Sequence, residues 1–379
     1  MCVKFFEPGL TYKKLKKELD EVWERVMTNG DLIMRHDLEF FEKRLADFVG
    51  TKYAVGVNSG TDALYIALRS AGIKEGDEVI VPSHTFIASI EAVVRCGATP
   101  VLVDIDENWL LDLDQVSQNI NSRTKAIIPV HLSGDVVNLN ALKGILNFKD
   151  RKDIIIIEDA AQALGAKWEH EIAGSVGLAG CFSFYPAKIL GCAGDGGAIT
   201  TNDEQIYKKA KLLRNHYDIR QTFLESDATP PVIEWTGNSR LDNLQAAILN
   251  VKLDHLEETL ERRKEIAEKY NAQLQGLPGL IIPPINSEGR VWQDYVIRVP
   301  NLRRQLKEYL NQHEIEVLGC DQIPNHKYRG LGLEDYSLPL TEQYVSHEFM
   351  RLPCNENLTD EQVDFVIQTI KTFYGTVIL

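Results

Sequence analysis

Between residues 53 and 201, short apolar runs rich in β-branched residues alternate with longer amphipathic stretches. This alternation is typical of βαβ units, in which successive strands pair in parallel and helices cover the sheet. Two of the stretches, Asp62–Arg69 and Phe86–Arg95, are predicted helices. Seven runs are predicted strands: Tyr53–Val57, Glu78–Val81, Pro100–Val103, Ala126–Val130, Ile154–Ile157, Cys181–Phe184 and Ala198–Thr200. The pattern therefore predicts an α/β fold built on a mostly parallel seven-stranded sheet.

The sequence after the predicted sheet becomes helical. Residues 203–214 have the pattern of a helix, and a polar loop that contains Pro230 and Pro231 follows. Apolar residues at helical spacing from Leu241 to Ile266 then predict a long helical region. We expect this region to lead out of the sheet domain.

A smaller lobe is expected at the C-terminal end. Three further elements are predicted there: a strand at 295–299 and helices at 303–312 and 360–372. With 379 residues, the chain is long enough for two lobes. We expect a large domain over residues 1–250, with an N-terminal helical segment, and a small α+β domain over residues 251–379.

Charge and apolar patterning exclude two classes of protein. The net charge of -14 repels polyanions, and Lys and Arg form no dense cluster, so we expect no nucleic-acid partner. The densest apolar run, Ile154–Ile157, ends at Glu158 and Asp159. A membrane span needs about 18 apolar residues, so we expect no membrane partner either.

The six cysteines contain no C-x-x-C pair, which argues against a zinc site and against a disulfide framework. We expect free thiols and no metal. The first residues lack the basic start, apolar middle and cleavage site of a secretory signal, so we expect a cytoplasmic protein.

Several familiar motifs are absent from the sequence. It contains no G-x-G-x-x-G, no G-x-x-x-x-G-K-[ST] and no H-E-x-x-H, so dinucleotide, P-loop and zinc-protease interpretations lose their main support. Four separated segments instead suit one cofactor that carries a phosphate, a pyridine ring and an aldehyde.

The first segment, Asn58–Ala63, lies where a predicted strand ends and a helix begins. Small residues there let backbone N–H groups approach a phosphate, and a helix N-terminus carries about half a positive charge. An ordinary helix cap is the alternative interpretation.

The second segment, Ile154–Gln162, is an apolar strand that ends in two carboxylates. Asp159 is thereby placed at the carboxyl edge of a parallel sheet, where open α/β folds bind ligands. Burial raises the pKa of an isolated carboxylate, so a buried Asp159 needs a cationic partner, and a protonated pyridine nitrogen is one. A helix N-cap and a Mg²⁺ ligand are the alternatives.

The third segment, Cys181–Lys188, places a lysine among apolar and small residues, and four glycines follow between 191 and 197. Desolvation lowers the pKa of a lysine and supplies the neutral amine that forms an imine. Ser183 is a candidate phosphate ligand, and an ordinary loop lysine is the alternative for Lys188. The fourth segment, Thr236–Asp242, has the polar donors of a helix start, but its residues alone indicate no ligand.

Together these segments resemble the DegT/DnrJ/EryC1/StrS family of sugar aminotransferases, which depend on pyridoxal 5′-phosphate (PLP). The resemblance runs from about Asp37 to Gln368. The matching segments follow one another in the family's order: Phe40–Glu42, Ser59–Leu64, Gly76–Ile80, Thr85–Ala88, Gly97–Val101, Pro129–Leu132, Glu158–Gln162, Phe182–Lys188, Gly194–Ala198 and Asn238–Asp242. The fold implied is the type I fold of PLP-dependent transferases, as in aspartate aminotransferase.

The resemblance also implies roles for individual residues. Lys188 would hold PLP as a Schiff base, and Asp159 would pair with the pyridine nitrogen. Gln162 would hydrogen-bond the ring oxygen, and Phe86 occupies the position whose ring stacks on the cofactor. The catalytic residues implied are therefore Lys188 and Asp159.

The phosphate of PLP would be held by two chains. Gly60, Thr61 and Ser183 fall where the family holds the phosphate from its own chain, and Asn238 falls where a residue of the second subunit does. The resemblance thus implies a homodimer with shared active sites.

The sequence departs from the family in four places. These are Ile189–Leu190, Cys192–Ala193, His216–Tyr217 and the entrance segment Gly30–Arg35. In the family these positions meet the substrate, so we expect the departures to bear on the identity of the sugar and not on the cofactor.

The implied reaction moves an amino group from an amino acid, expected to be L-glutamate, to a nucleotide-linked keto sugar. Relatives serve O-antigen, other surface polysaccharides and antibiotic sugars. Alternatives are a PLP-dependent sugar dehydratase, an aminotransferase for cyclitol ketones and a PLP-binding regulator without turnover. The dehydratases typically carry histidine at the lysine position, so Lys188 favours transamination.

Overall fold

The computed structural model describes residues 1–223, 232, 234–283 and 289–377. The predicted loop residues Pro230 and Pro231 lie outside this part of the chain. Eleven strands are described within it: β1 Tyr53–Val57, β2 Glu78–Pro82, β3 Thr99–Val103, β4 Thr124–Ile127, β5 Ile155–Asp159, β6 Lys167–Trp168, β7 Glu171–Ile172, β8 Ala179–Ser183, β9 Gly197–Thr201, β10 Tyr295–Arg298 and β11 Phe349–Leu352.

Seven of these strands form the central sheet, in the order β1-β9-β8-β5-β4-β2-β3. The pairs from β8 to β3 are parallel, and β9 runs antiparallel to both of its neighbours. The predicted mostly parallel seven-stranded sheet is confirmed. Its middle strands are buried on both faces, which is why their sequences are apolar without alternation.

Helices cover both faces of the sheet and build the rest of the chain. In chain order they are α1 Pro8–Lys14, α2 Lys16–Asn29, α3 His36–Val49, α4 Gly60–Ser70, α5 Ala88–Arg95, α6 Leu113–Asn119, α7 Leu139–Phe148, α8 Glu204–Leu213, α9 Ile219–Phe223, α10 Asn243–Asp254, α11 Leu256–Leu274, α12 Arg303–Gln312, α13 Pro339–Gln343 and α14 Asp360–Val377. Within the described residues, no helix is long and apolar enough to cross a membrane.

Several boundaries differ from the prediction. The strand β5 extends two residues further than expected and includes Glu158 and Asp159, because their peptide groups continue the ladder beside β8. The predicted long helical region breaks at His255, whose backbone leaves the helical conformation between α10 and α11.

The C-terminal part has its own hydrophobic core. Tyr270, Tyr295 and Tyr374 are its largest fully buried side chains, and Val3 from the opposite end of the chain packs with them. Strand β11, which the sequence did not predict, pairs antiparallel with β10. The domain boundary expected at residue 250 falls inside α10 and stays a prediction.

All six cysteines are free thiols. Cys2 is exposed, and the other five are buried in the hydrophobic cores.

Candidate active site

A cavity with a volume of about 1180 Å³ opens at the carboxyl ends of β5 and β8. Pockets that bind one drug-sized ligand have volumes of about 300–1,000 Å³, so this cavity has room for a cofactor and a second ligand together. Seven of the eight predicted site residues line it: Gly60, Thr61, Phe86, Asp159, Gln162, Ser183 and Lys188.

The N-terminus of α4 forms one end of the cavity. Ser59 caps the helix, because its Oγ accepts a hydrogen bond of 3.1 Å from the Asp62 N–H. A Cβ atom on Gly60 would lie 2.7 Å from the Cβ of Ser183, so only glycine allows this close approach. The helix end, Thr61 and the Ser183 hydroxyl together form a cradle for an anion.

Asp159 ends β5, and its side chain is 5% exposed. Its Oδ2 atom accepts a hydrogen bond of 2.6 Å from Ser89 Oγ, and Oδ1 accepts one of 3.2 Å from the Ala161 N–H. Turns follow Asp159, so it is not a helix cap. No group of three or more metal-ligating side chains occurs in the part of the chain that the structure describes, so the Mg²⁺ alternative has no ligand set there.

A fully buried pair, His131 and Glu158, supports the strand end beneath Asp159. His131 Nε2 lies 3.0 Å from Glu158 Oε2, and the His131 N–H donates to the Asp159 carbonyl at 3.0 Å. Burial alone would raise the pKa of Glu158. Hydrogen bonds from His131 and from the backbone amides of Gly177 and Gly174 outweigh burial, so this pKa lies below its ordinary value.

Gln162 is oriented by the backbone. Its Oε1 atom accepts a hydrogen bond of 2.7 Å from the Ser133 N–H. The acceptor end of the amide is therefore in use, and the NH₂ end is the one that remains for a ligand in the cavity.

Lys188 lies in a turn after β8, where its N–H donates to the Tyr185 carbonyl at 2.8 Å. Gln293 holds the peptide groups on both sides of it. The Nε2 atom of Gln293 donates to the Ala187 carbonyl at 3.0 Å, and its Oε1 accepts from the Ile189 N–H at 3.0 Å. The backbone of Lys188 is thus fixed from the C-terminal part of the chain.

Burial lowers the pKa of the Lys188 amine. The negative charges of Asp294 and Asp159 act against this effect, and the positive charge of Arg351 adds to it. The pKa stays below the ordinary value, so a larger share of the amine is neutral near pH 7 than in a free lysine.

Phe86 is 70% exposed although it lines the cavity. An aromatic face of this kind is available to stack on a planar ligand. Phe86 lies in the turn before α5, so the predicted helix begins two residues later than expected.

Asn238, the eighth predicted residue, is exposed and lies outside the cavity walls that the described residues form. It forms an isolated bridge with Asn215, and its Oδ1 accepts a hydrogen bond of 3.4 Å from the Arg240 N–H. The structure does not bring it to the site of its own chain.

The four departures from the family also lie outside the cavity. The described residues that line it include none of them, and the expectation that they meet the substrate stays a prediction. Ile189, Leu190 and Cys192 are buried and pack in the hydrophobic core that also contains Phe182 and Phe184.

Several contributors to the site carried no signal in the sequence. Ser89 and Ser133 each act through one hydrogen bond to a distant segment and Gln293 acts through two, and no spacing pattern marks these residues. The same holds for Asn325, whose Nδ2 atom donates to the carbonyls of Ser83 and Thr85 at 2.9 and 2.8 Å. This contact holds residues 322–331 over the cavity.

The residues present fit PLP. The glycine-dependent cradle suits a phosphate, the buried carboxylate of Asp159 suits a protonated pyridine nitrogen, and the desolvated amine of Lys188 suits an aldehyde.

A sequence model of the DegT/DnrJ/EryC1/StrS aminotransferase family matches residues 13–371. The chain is 38% identical to dTDP-3-amino-3,4,6-trideoxy-alpha-D-glucose transaminase of Streptomyces venezuelae over 97% of this chain and 95% of the relative. It is 34% identical to UDP-2-acetamido-2-deoxy-3-oxo-D-glucuronate aminotransferase of Pseudomonas aeruginosa over 96% and 98%.

Solved structures agree with these matches. The structure of S. venezuelae DesV in complex with a ketimine intermediate has a TM-score of 0.91 at 37% identity and covers 98% of both chains. That of Bacillus subtilis ntda with the bound cofactor PMP has a TM-score of 0.89 at 28% identity, over 99% of this chain and 85% of the other.

Proposed function

Because the chain belongs to the DegT/DnrJ/EryC1/StrS aminotransferase family, we propose that it transfers the amino group of L-glutamate to C3 of a nucleotide-linked keto sugar. The chain is a sugar aminotransferase of the type I α/β fold, with PLP as cofactor. The choice of C3 is supported by the relatives, since one is named for a 3-amino sugar and another for a 3-oxo sugar.

One observation carries this proposal. A phosphate cradle, a buried carboxylate and a desolvated lysine, drawn from three separate segments, face one cavity of about 1180 Å³. When bound there, PLP supplies a carbonyl carbon and an electron sink.

The residues around the cavity divide the work of binding and orientation. The amides at the start of α4 and the Ser183 hydroxyl would hold the phosphate. Asp159, positioned by Ser89, would keep a proton on the pyridine nitrogen, and the NH₂ group of Gln162 would donate to the ring oxygen. Phe86 would pack against the ring and exclude water from it.

Lys188 moves the proton. Its neutral amine would accept the proton from the α-carbon of the amino donor, and in the sugar half of the reaction its protonated form would deliver a proton to the sugar carbon that gains the amine. The clamp from Gln293 would serve both transfers, because each needs the amine held within hydrogen-bond reach of the reacting carbon.

We also propose that the active unit is a homodimer in which Asn238 binds the phosphate in the neighbouring subunit's site. Two features support this proposal. Asn238 is exposed and outside its own cavity, and large apolar side chains near it, Trp235 and Val232, are exposed as well.

The product and the location follow as further proposals. We propose that the amino sugar serves a surface polysaccharide such as O-antigen and that the enzyme works in the cytoplasm. Six free thiols support a reducing compartment.

The test is a substrate panel. Purified holoenzyme with L-glutamate is incubated with dTDP-, UDP- and GDP-linked 3-keto and 4-keto sugars, and the products are identified by mass spectrometry and NMR. We expect an amine at C3 and no product with the Lys188→Ala variant. An amine at C4 would refute the position, and amination of no sugar nucleotide would refute the substrate class.

A further inference from the structure

Four cationic side chains line the cavity walls that the structure describes: Lys188, Arg263, Arg329 and Arg351. Lys188 is committed to the cofactor. Arg329 is exposed at the mouth. The two remaining arginines, Arg263 and Arg351, differ in how many of their N–H groups already donate hydrogen bonds within the protein.

Arg263 donates hydrogen bonds to the protein from all of its side-chain nitrogens. Its Nη1 atom donates to three backbone carbonyls at 2.8–3.2 Å. Its Nε and Nη2 atoms both donate to Glu356, at 3.1 and 2.8 Å. All three nitrogens therefore have partners, and Arg263 is part of the scaffold.

Arg351 has N–H groups without a hydrogen-bond acceptor among the described residues. Among the described residues, its side chain makes one hydrogen bond, from Nη1 to Asp294 Oδ2 at 3.2 Å. Its Nε atom is buried without a partner in that part of the chain. Leaving such a donor unsatisfied is costly. Arg214, Arg240 and Arg290 also have an unsatisfied Nε among the described residues, but of these four arginines only Arg351 lines the cavity, where a ligand can supply the partner.

The backbone fixes where this guanidinium lies. Arg351 is in β11, and its N–H and carbonyl pair with the carbonyl and N–H of Leu318 at 2.8 and 3.2 Å. The rings of Phe5 and Phe349 each lie 5.9 Å from the guanidinium carbon. The cation is held by a strand on one side and aromatic rings on the other.

The charge of Arg351 reaches the reacting end of the cavity. It contributes to the lowered pKa of Lys188, after burial. Burial and the same charge lower the pKa of the cavity-lining His84 to about 4, so His84 is neutral at pH 7. The positive charge of Arg351 would therefore attract an anion that binds beside Lys188.

We propose that Arg351 is the carboxylate receptor of this site. A planar guanidinium with unused N–H groups matches the two oxygens of a carboxylate. Asp294 compensates the positive charge of the partly buried Arg351 within the protein. In a chain of net charge -14, an anionic substrate also needs such a local cation.

This inference rests on the proposed function, which offers two sources of that carboxylate: the amino donor, or a uronate-type sugar such as the one for which the P. aeruginosa relative is named. The test uses holoenzyme variants Arg351→Gln and Arg351→Lys, and the double variant Asp294→Asn/Arg351→Gln. The double variant removes both charges, so Asp294 is not left unpaired. Arg304→Gln, an exposed arginine on α12, is the matched control.

Three measurements separate the sources. Calorimetry gives the affinity for glutarate, a dicarboxylate that does not react. Stopped-flow absorption gives the affinity for L-glutamate in the first half reaction. The second half reaction compares a neutral 3-keto sugar with its uronate counterpart. Circular dichroism and the visible absorption of bound PLP check folding.

We expect Arg351→Gln and the double variant to lose about 10- to 100-fold in affinity for the carboxylate-bearing ligand, because charge-assisted hydrogen bonds are lost. Arg351→Lys should lose less, and Arg304→Gln nothing. If the Arg351 variants bind glutarate and glutamate more weakly, Arg351 binds the carboxylate of the amino donor. If they lose affinity only for the uronate, Arg351 binds the carboxylate of the sugar. Affinities within twofold of the original chain for all three ligands would overturn the proposal. A chain that aminates no sugar yet binds glutarate through Arg351 would refute the proposed function alone.

Discussion

At the scale of single residues, the pKa of the Lys188 amine is set by a balance between burial and the charges of nearby side chains. Burial lowers its pKa, Asp294 and Asp159 act to raise it, and Arg351 lowers it further. The amine reacts only when neutral, so the pH dependence of cofactor capture reports this balance directly.

Replacing Asp294 with Asn should shift that dependence. The variant loses a charge that raises the Lys188 pKa and frees Arg351, which lowers it, so both changes move the pKa in the same direction. PLP-free protein captures PLP at a rate that rises with pH as Lys188 loses its proton. We expect this rise to occur at lower pH in the variant. Stopped-flow absorption across pH measures it, and a rise that is unchanged or moved to higher pH would contradict the assignment.

Asp159 is predicted to matter for chemistry far more than for folding. Asp159→Ala removes the charge opposite the pyridine nitrogen but few atoms, so we expect a rate loss of at least about 10²-fold. Single-turnover rates with L-glutamate provide the measurement. Ser89→Ala is the milder comparison: it keeps the carboxylate and removes the hydrogen bond from Ser89 Oγ to Asp159, together with the contacts of that hydroxyl to Thr85 Oγ1 and the Phe86 carbonyl. Near-normal turnover of Asp159→Ala with PLP bound would show that the carboxylate is only structural.

At the scale of elements, the approach of α4 to the end of β8 creates the phosphate cradle. We predict that Gly60→Ala weakens PLP binding at least about tenfold, because its Cβ would lie 2.7 Å from the Cβ of Ser183 and force the two elements apart. Gly144→Ala in α7 is the control, since nothing lies within 4 Å of its Cβ position. Equilibrium dialysis measures PLP affinity, and equal affinity in both variants would refute the close-contact argument.

The central strands and several helices were predictable because their signals are local. The middle strands of the sheet bury both faces, so an apolar run such as Ile154–Ile157 marks them directly. Strand β11 was not predicted, since its four residues include the charged Arg351 and no β-branched residue. Gln293 was missed because its contacts to Ala187 and Ile189 join segments over 100 residues apart. Such tertiary hydrogen bonds leave no periodic pattern in a sequence.

At the scale of the whole molecule, the shared-site proposal predicts complementation between two inactive variants. Lys188→Ala loses the amine, and Asn238→Glu places a charge against the neighbour's phosphate. In a mixed dimer, one site carries both lesions and the other carries neither. Random exchange should therefore restore activity to about a quarter of that of the original chain. No recovery, despite demonstrated exchange, would show that Asn238 does not serve the partner's site.

The distribution of thiols makes that exchange directly observable. Only a thiolate reacts readily with maleimides, and burial raises the pKa of Cys192 and Cys354 to about 12. Cys2 is the exposed cysteine among the six, so a native chain should accept one fluorophore per subunit without any engineered residue. Two populations labelled with donor and acceptor dyes would then report subunit mixing by energy transfer, in the same cuvette in which activity is followed.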